Sequence, residues 1–438
     1  MLLAFCKYFG NIKMKGYEIK MAQNKVSAQF FRQPRYYNDF ACIGGSCPTS
    51  CCFQWRVDWT KEEVEKLKNA DCSEHLRELI DSSFAENDEK YKIVMDEKNR
   101  CPFLTEDNFC SIQRELGAEY LSYVCRTYPR KRKFSGNAIL NYCHTSCYPI
   151  MDTLCRDSEC MILENFRPKA KKSFQADMDS EGNILNHPEL KYRRELFELF
   201  YEVISDNSYS VETAVTLGAV AAQSISRLVE NGAYDKIPDN ISALKKQLKN
   251  PAQIKKLEEL KPNYAIKLGF AKKFNDIILK SNMINFISEN NALIADKYDE
   301  GMSRFNAAFA ERPFALRNIA LNLLLELEIP FWNKDYSIFE NYCYYAAAIA
   351  MVKLTAAVVF NSQTAVTPMV TGSGKASEAV KNLKISFKVV TDPEHEFKTR
   401  IAYIDRFLAH DNNKIQAILD MYKELNCMSP AYIALIVK

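Results

Sequence analysis

Cysteine is the residue type in this sequence whose number and spacing point most directly to chemistry. The chain has 438 residues and 15 cysteines, and twelve of these fall between Cys42 and Cys160, where an even distribution would place about four. Thiolates act as nucleophiles, as redox groups and as ligands of soft metals. An odd number of cysteines in a chain without a recognisable export signal is not typical of a disulfide framework. The concentration therefore predicts a metal centre, redox chemistry or small apolar packing residues, and we favour metal.

The densest cysteines lie in the segment Cys42-Ile-Gly-Gly-Ser-Cys47-Pro-Thr-Ser-Cys51-Cys52. The intervening glycine, proline and serine residues predict a loop, on which several sulfur atoms can converge. Zinc and iron–sulfur clusters both accept ligand sets made only of cysteine. Zinc ribbons usually carry two separated CxxC pairs, and this sequence has none, so we place an iron–sulfur cluster modestly ahead of zinc. His144, between Cys143 and Cys147, is interpreted as a satisfied polar residue and not as a ligand.

The residues around the cysteines resemble a known family. The run Tyr36-Tyr-Asn-Asp-Phe-Ala-Cys42-Ile-Gly, with Cys47, Cys51-Cys52 and Trp55-Arg-Val-Asp58, resembles the N-terminal signature of flagellin lysine-N-methylases, part of a superfamily named for a CxxCxxCC-like motif. Three further blocks are similar and occur in order: Cys101-Pro-Phe-Leu104 with Asn108-Phe-Cys110-Ser-Ile112, Leu121-Ser-Tyr-Val-Cys125-Arg-Thr-Tyr-Pro-Arg130, and Ser146-Cys147-Tyr-Pro149. Several ordered blocks across residues 34–160 are more specific than any single cysteine motif.

The C-terminal half resembles the same family more faintly, through Phe339-Glu-Asn-Tyr342 and Arg406-Phe-Leu-Ala-His410. This sequence departs from the family pattern in the C-x4-C-x3-C-C spacing and in the tyrosine after Cys147, which leaves the choice of ligands open. The resemblance implies methylation of lysine side chains on flagellin by S-adenosylmethionine, with an iron–sulfur cluster of the 4Fe-4S type, or zinc as the alternative. The motif-borne cysteines that we predict as metal ligands are Cys42, Cys47, Cys51, Cys52, Cys101, Cys110, Cys125 and Cys147.

Methylation of lysine requires the neutral amine, because an ammonium group has no lone pair and its reference pKa is about 10.4. Desolvation lowers that pKa, and a positioned carboxylate or tyrosinate can accept the proton. Asp58 and Tyr128 lie in the motif blocks and are the candidate catalytic residues. The alternatives are that Asp58 caps the helix beginning near Thr60 and that Tyr128 packs in the core.

Arg126 and Arg130 flank Pro129 and precede the basic run Lys131-Arg132-Lys133. We assign both arginines as candidate cofactor-binding residues, because they can neutralise a thiolate-ligated cluster or contact an acidic substrate surface. A solvated run of charge is the alternative. His410, with Arg406 one helical turn earlier, is a second candidate spot or else a helix-terminal histidine. The segment Val370-Thr-Gly-Ser-Gly-Lys375 lacks the complete phosphate-loop pattern and is predicted to be a flexible loop.

The elements that must position these residues are mostly helices. Residues 1–33 form a basic lead-in with a possible alternative start at Met21, residues 34–172 a cysteine-cluster domain with minor β-hairpin content, and residues 173–438 an all-helical domain, so that the fold class is mainly α. Helices are predicted at about 60–69, 73–84 and 112–124, with a strand at 91–95 and a hairpin turn between Leu104 and Asn108. The last region predicts helices at about 188–206, 209–231, 240–260, 265–289, 313–328, 336–360 and 397–425.

Charge and targeting signals favour a cytoplasmic protein without nucleic-acid or membrane partners. The net charge is +3, from 58 basic and 55 acidic residues, and gives no reason to expect either partner. The longest apolar run, Ala346 to Phe360, is interrupted by Lys353 and predicts a buried core helix instead of a membrane span. Flagellin is the expected partner. A non-catalytic binding module stabilised by zinc or an iron–sulfur cluster, and an electron-transfer or redox-sensing protein, remain alternatives.

Overall fold

The computed structural model describes most of the chain from residue 30 onward. The described residues are 30–52, 57–87, 90–97, 99–135, 138–166, 187–279, 291–331, 333, 335–361, 365–367, 386–388, 392–408 and 412–438. The predictions about Met21, Trp55, the loop Val370–Lys375 and His410 lie outside these residues.

Helices dominate the described structure, which confirms the mainly α fold class. In chain order they are α1 Tyr36–Asp39, α2 Lys61–Lys68, α3 Glu74–Ser82, α4 Ser111–Glu115, α5 Tyr123–Thr127, α6 Tyr148–Arg156, α7 Arg193–Ser205, α8 Val211–Glu230, α9 Ile237–Gln247, α10 Pro251–Glu258, α11 Tyr264–Leu279, α12 Asn291–Ala308, α13 Ala315–Glu326, α14 Ile338–Asn361, α15 Pro393–Leu408, α16 Asn412–Glu424 and α17 Pro430–Val437.

The strands are short and form three small sheets. They are β1 Phe30–Pro34, β2 Asp58–Thr60, β3 Phe84–Asn87, β4 Lys90–Ile93, β5 Arg130–Ser135, β6 Ala138–Cys143, β7 Leu163–Asn165, β8 Ala365–Thr367 and β9 Ser386–Lys388. The first sheet has the order β5-β6-β1-β7, with β1 parallel to β6, and the second has the order β2-β4-β3. The sequence predicted an all-helical region after residue 173. The antiparallel pair β8–β9 shows that this part of the prediction is wrong.

The predicted helix starts in the cysteine-rich part are confirmed by their caps. Thr60 accepts a hydrogen bond from the Glu63 N–H while the Glu63 side chain accepts one from the Thr60 N–H, which is a capping box at the start of α2. Ser73 accepts from the Leu76 N–H at 3.2 Å and begins α3. Helix α2 packs against strands β2 and β4 and against α3.

The single helix predicted over residues 112–124 is wrong. The structure has α4, a 3₁₀ turn at Ala118–Tyr120 and then α5. The reason is Gly117, whose φ of +93° lies outside the helical region and ends the helical path after α4. The break places Cys125 on a separate short helix, α5.

The described apolar residues form two cores. The smaller core contains ten buried residues between Val57 and Leu121, with Trp59 the largest of them. The larger core joins the helices after residue 187 to Tyr36, strand β6 and helix α6. The first sheet and α6 therefore pack with the later helices. Chain segments on both sides of residue 172 contribute to this core. The domain boundary near residue 172 stays a prediction.

Helix α14 is the centre of the larger core. Among the described helices it is the one that is both long enough and apolar enough to cross a membrane. Of its most apolar stretch of 18 residues, 89% is buried inside the protein. Lys353 lies in its middle, 3% exposed, and donates to the carbonyl of Val437 at 2.6 Å. The described structure thus shows α14 as a core helix, as the lysine within the apolar run predicted.

The later helices follow the predicted segments with three differences. The segment 240–260 is divided at Pro251 into α9 and α10, and the segment 397–425 is divided into α15 and α16. Helices α12 and α17 had no sequence prediction, and the end of the segment 265–289 lies outside the described residues.

Candidate metal centre

All eight cysteines that the motif blocks nominate line one cavity of about 260 Å³. They come from separate parts of the chain: the loop from residue 42 to 52, the turn from residue 101 to 110, helix α5 and the start of α6. The fourteen described cysteines are free thiols. The six left out of the prediction do not line the cavity, and four of these are buried in the larger core: Cys143, Cys155, Cys160 and Cys343, whereas Cys72 and Cys427 are partly buried. The structure therefore groups the predicted ligand residues and separates them from the others.

Two glycines determine the path of the loop that carries Cys42 and Cys47. Gly44 has a φ of +56°, and a Cβ atom there would lie 2.8 Å from the Phe109 ring. A Cβ atom on Gly45 would lie 2.4 Å from the carbonyl oxygen of Asp107. The loop thus packs against the turn before Cys110 so closely that neither position has room for a side chain.

Backbone hydrogen bonds tie the turn around Cys101 and Cys110 to this loop. The N–H of Cys101 donates to the carbonyl of Cys52 at 2.8 Å. Leu104 and Cys110 form an isolated antiparallel bridge, and the N–H of Ser111 donates to the carbonyl of Phe103 at 2.8 Å. The predicted hairpin turn is therefore present, and it brings two cysteines from either side of the turn to the same cavity.

The remaining two cysteines sit at helix starts. Ser122 caps α5 by accepting a hydrogen bond from the Cys125 N–H at 3.1 Å. Cys147 is the residue before α6, and its sulfur faces the cavity with only 7% of the residue exposed. The first N–H groups of a helix have no acceptor within the helix and carry partial positive charge. A negatively charged group near the start of the helix is therefore stabilised.

Burial sets the protonation of most of these thiols. It raises the pKa of Cys101 and Cys125 to about 12 and raises that of Cys47, Cys110 and Cys147 as well. These thiols hold their protons at neutral pH until a soft metal replaces them. The cavity can therefore release protons on metal binding.

Cys51 differs from the other thiols. A hydrogen bond from Cys52 and the positive charge of Arg406 lower its pKa to about 7, against the effect of burial. Cys52 correspondingly keeps its proton, because its own pKa is raised by the same hydrogen bond. Cys51 is thus the thiol of the group that is most readily ionised near neutral pH.

Arg406 contacts the cysteine loop, although the sequence analysis named it only as the residue one helical turn before His410. It lies on α15 and donates to the carbonyls of Thr49 at 2.7 Å and of Ser50 at 3.1 Å. Tyr403, one turn earlier, donates to the carbonyl of Pro48 at 3.3 Å. The faint resemblance around Arg406 was the signal available in the sequence, but nothing in the sequence connected it to a loop more than 350 residues away.

The two arginines predicted to bind a cofactor both line the cavity. Arg126 is exposed at its edge. Arg130 is half-buried on β5 and donates to the carbonyl of Phe40 at 2.9 Å, with its guanidinium over the Phe40 ring. Arg130 therefore holds the chain just before Cys42, while both arginines add positive charge around the thiols. Cofactor binding by either residue stays a prediction.

The two candidate catalytic residues have different positions. Tyr128 lines the cavity, donates to the Ser146 hydroxyl at 3.2 Å and lies stacked on His144. Burial raises the pKa of Tyr128 well above its usual value, so the hydroxyl holds its proton at neutral pH. Asp58 is exposed on β2, faces away from the cavity that Val57 and Trp59 line, and lies 3.9 Å from Lys90. Asp58 does not cap α2, because Thr60 does.

The lining of the cavity contains enough cysteines for the ligand set of an iron–sulfur cluster and also for that of a zinc ion. Zn–S bonds of about 2.3 Å in a tetrahedron place sulfur atoms about 3.8 Å apart. Within the described ranges, the only His, Cys, Asp and Glu residues with three ligand atoms within 4.8 Å of one another are not cysteines. Trp59 also lines the cavity, and its buried indole N–H has no acceptor within the described structure, as expected beside a sulfur-rich acceptor.

Comparisons with known proteins identify the family. Residues 198–436 match the sequence model of the FliB lysine N-methylase C-terminal domain. The chain is 22% identical to the lysine-N-methylase of Salmonella choleraesuis (strain SC-B67) over 255 residues, which is 56% of this chain and 60% of that protein, and the lysine-N-methylase of Salmonella typhimurium (strain LT2) gives the same values.

A third relative is the flagellar biosynthetic protein FliU of Salmonella muenchen, 28% identical over 146 residues, which is 32% of this chain and 83% of that protein. The chain spans about three-fifths of the length of the lysine-N-methylases that it matches. No solved structure is similar to it. Because the matched C-terminal domain covers more than half of the chain, this protein belongs to the FliB lysine N-methylase family.

Proposed function

We propose that this protein is a protein-lysine N-methyltransferase that takes the methyl group from S-adenosylmethionine and that its substrate is flagellin. The family membership supports lysine methylation, and the names of the relatives support a flagellar substrate. The observation that carries the proposal of a cofactor is the grouping of eight motif-borne cysteines around one cavity. We propose that four or more of them hold an iron–sulfur cluster of the 4Fe-4S type.

The residues around the cavity suit a reaction that needs a neutral amine. Its lining includes Phe40, Val57, Phe109 and Val124, and burial against such side chains favours the uncharged form of a lysine amine. The nearby guanidinium groups of Arg126 and Arg406 act in the same direction. The hydroxyl of Tyr128 donates its proton to Ser146, so its oxygen can accept a hydrogen bond from an amine N–H and direct the lone pair towards the methyl group.

The transfer itself forms one bond and breaks one. The amine nitrogen attacks the methyl carbon of the sulfonium, the carbon–sulfur bond breaks, and the amine proton leaves to a base or to water. A bound iron–sulfur cluster supplies electron-transfer capacity at a potential set by its burial and by hydrogen bonds to its sulfurs. Since Asp58 lies outside the cavity, we do not assign it a role in this step.

We place the reaction in the cytoplasm, because flagellin passes through a narrow export conduit and must be modified before it. The test compares the mass and the lysine methylation of flagellin in strains with and without this gene. Loss of methylation in the deletion strain, restored by the intact gene and not by a Cys47→Ser/Cys51→Ser variant, is the expected result. Unchanged methylation in the deletion strain would rule out the proposed substrate and reaction.

Metal analysis separates this proposal from a binding module that zinc merely stabilises. Protein purified without oxygen is assayed for iron, acid-labile sulfide and zinc. Iron and sulfide in comparable amounts support the cluster, since thiols alone bind no inorganic sulfide. Zinc without sulfide, together with no binding of S-adenosylmethionine, favours the binding module.

A further inference from the structure

A second group of ligand-type side chains lies apart from the cysteine cavity, where the cysteine-rich part meets the later helices. His144 follows β6, Glu326 is the last residue of α13 and Asp405 lies on α15. The three residues are 6%, 4% and 8% exposed. One ligand atom from each lies within 4.8 Å of the other two. Three separate elements therefore bring one imidazole and two carboxyl groups to a single buried point.

The contacts of this group do not account for one carboxyl oxygen of Asp405. Nδ1 of His144 is in direct contact with Oε1 of Glu326, and Oε2 of Glu326 accepts from the Thr145 N–H at 2.9 Å. Oδ2 of Asp405 is buried and has no hydrogen-bond partner in the part of the chain that the structure describes. A buried oxygen of this kind destabilises the fold unless something satisfies it.

The charges of the three side chains also indicate that something is needed between the two carboxyl groups. Two carboxyl groups in contact cannot both be ionised unless positive charge lies between them. Burial raises the pKa of Glu326 to about 7 and that of Asp405 well above its usual value, while it lowers the pKa of His144 to about 4. The group therefore either shares protons or holds a cation that replaces them.

We propose that His144, Glu326 and Asp405 form a binding site for one divalent metal ion. The imidazole and the two carboxylates suit Mn²⁺, Fe²⁺ or Zn²⁺, whereas the soft ligands of the cysteine cavity suit iron–sulfur chemistry. A cation within reach of all three ligand atoms satisfies Oδ2 of Asp405 and removes the repulsion between the carboxylates. This inference does not depend on the proposed methyltransferase activity.

The site has a structural consequence for the cavity. The ring of Tyr128, which lines the cysteine cavity, lies stacked on His144 with 6.3 Å between ring centroids and 18° between planes. A metal ion that fixes the imidazole also fixes the surface against which Tyr128 rests. Asp405 is next to Arg406, so the same ion fixes the part of α15 that contacts the cysteine loop.

The test uses Mn²⁺ as the probe, because carboxylate and imidazole ligands bind it and thiolates bind it poorly. The full chain is produced in medium supplemented with Mn²⁺, since a buried site fills most readily during folding. After chelator treatment and gel filtration, bound Mn²⁺ is measured by elemental analysis and by electron paramagnetic resonance. We expect one Mn²⁺ for each wild-type chain and a strong loss in Glu326→Gln and Asp405→Asn.

The matched control is Glu189→Gln, which removes a buried carboxyl group that lies 3.2 Å from a different histidine, His187. This variant should retain Mn²⁺. Thermal unfolding provides the second measurement, and the wild-type chain with Mn²⁺ should unfold at a higher temperature than the chain without it. Wild-type protein that retains no Mn²⁺ and shows no such shift overturns the proposal, as does equal Mn²⁺ in wild type and in folded Asp405→Asn. Either result would mean that the three side chains share protons.

Discussion

Arg406 donates a hydrogen bond of 2.7 Å from Nη2 to the carbonyl of Thr49, across 357 positions of sequence. A second bond from Nη1 reaches the carbonyl of Ser50. The planar guanidinium thus holds two consecutive carbonyls of the loop that carries Cys47 and Cys51, while its charge favours the thiolate of Cys51. One side chain of the helical part therefore fixes both the position and the ionisation of the cysteine loop.

Replacing Arg406 tests this relationship. Arg406→Gln should raise the pKa of Cys51 by about 1 pH unit, because an adjacent cation no longer favours the thiolate. The pH dependence of Cys51 alkylation in metal-free protein, followed by mass spectrometry, measures the change. Arg406→Lys keeps the charge and loses the paired donors, so it should preserve the alkylation profile more closely but still reduce iron content. An unchanged profile in Arg406→Gln would contradict the assigned electrostatic role.

Cysteine substitutions test the ligand set. Cys47→Ser, Cys51→Ser and Cys52→Ser should each lower iron and acid-labile sulfide strongly, because serine is a poor ligand for a soft metal. Cys72→Ser is the matched control, since Cys72 is also partly buried in the same region but does not line the cavity. Full metal content in all three loop variants would show that the ligands lie elsewhere.

Gly45 offers a steric test of the same cavity. A Cβ atom at Gly45 would lie 2.4 Å from the Asp107 carbonyl, so Gly45→Ala must move the loop away from the turn before Cys110. We expect a loss of about 1–3 kcal/mol in the free energy of unfolding, together with reduced iron content. Gly269→Ala is the control, because its Cβ atom meets nothing within 4 Å and alanine favours a helix by up to about 1 kcal/mol. Equal stability and iron content in both variants would argue against close packing of the loop.

The buried pair of Glu212 and Lys353 predicts an acid sensitivity of the helical part. Burial opposes ionisation of Glu212, but Lys353 outweighs it and lowers the pKa of Glu212 to about 2. The pair thus contributes stability above the unfolded pKa of about 4.3, and that contribution is lost as the pH falls towards 2. Glu212→Gln should cost roughly 3–5 kcal/mol at neutral pH, because Lys353 keeps a buried, unpaired charge.

Chemical denaturation at several pH values measures this effect. The wild-type free energy of unfolding should fall between pH 5 and pH 2 more steeply than that of Glu212→Gln. The double variant Glu212→Gln/Lys353→Met should recover most of the lost stability, since it removes both charges together. If the single and double variants were equally unstable, the cost would come from packing and not from the charge.

The sequence predicted which cysteines lie together better than it predicted the fold around them. The eight motif-borne cysteines could be chosen from their neighbours, because the residues between them carry family-specific patterns independent of the tertiary structure. The capping box at Thr60 was equally local and therefore readable. Strand β6 was missed because Ile139 to Cys143 are all buried, which removes the alternation that marks a strand.

The interactions that the sequence did not predict are those between distant segments. His144 was interpreted as an ordinary polar residue, and only the fold brings it to Glu326 and Asp405. Asp58 was selected because it follows the cysteine loop, but alternation along β2 turns it to solvent while Val57 and Trp59 face the cavity. Spacing along the chain cannot decide such orientations before the strand pairing is known.

The hydrogen bonds from Tyr403 and Arg406 also bear on the order of events during synthesis. A chain grows from its N-terminus, so the thiol loop leaves the ribosome long before α15 exists. Until that helix is made, the hydrogen bonds from Tyr403 and Arg406 to the carbonyls of Pro48, Thr49 and Ser50 cannot form. If the cavity holds the proposed cluster, we therefore expect its loading to be a late, post-translational step, and chains truncated before residue 393 should bind less iron than the full chain.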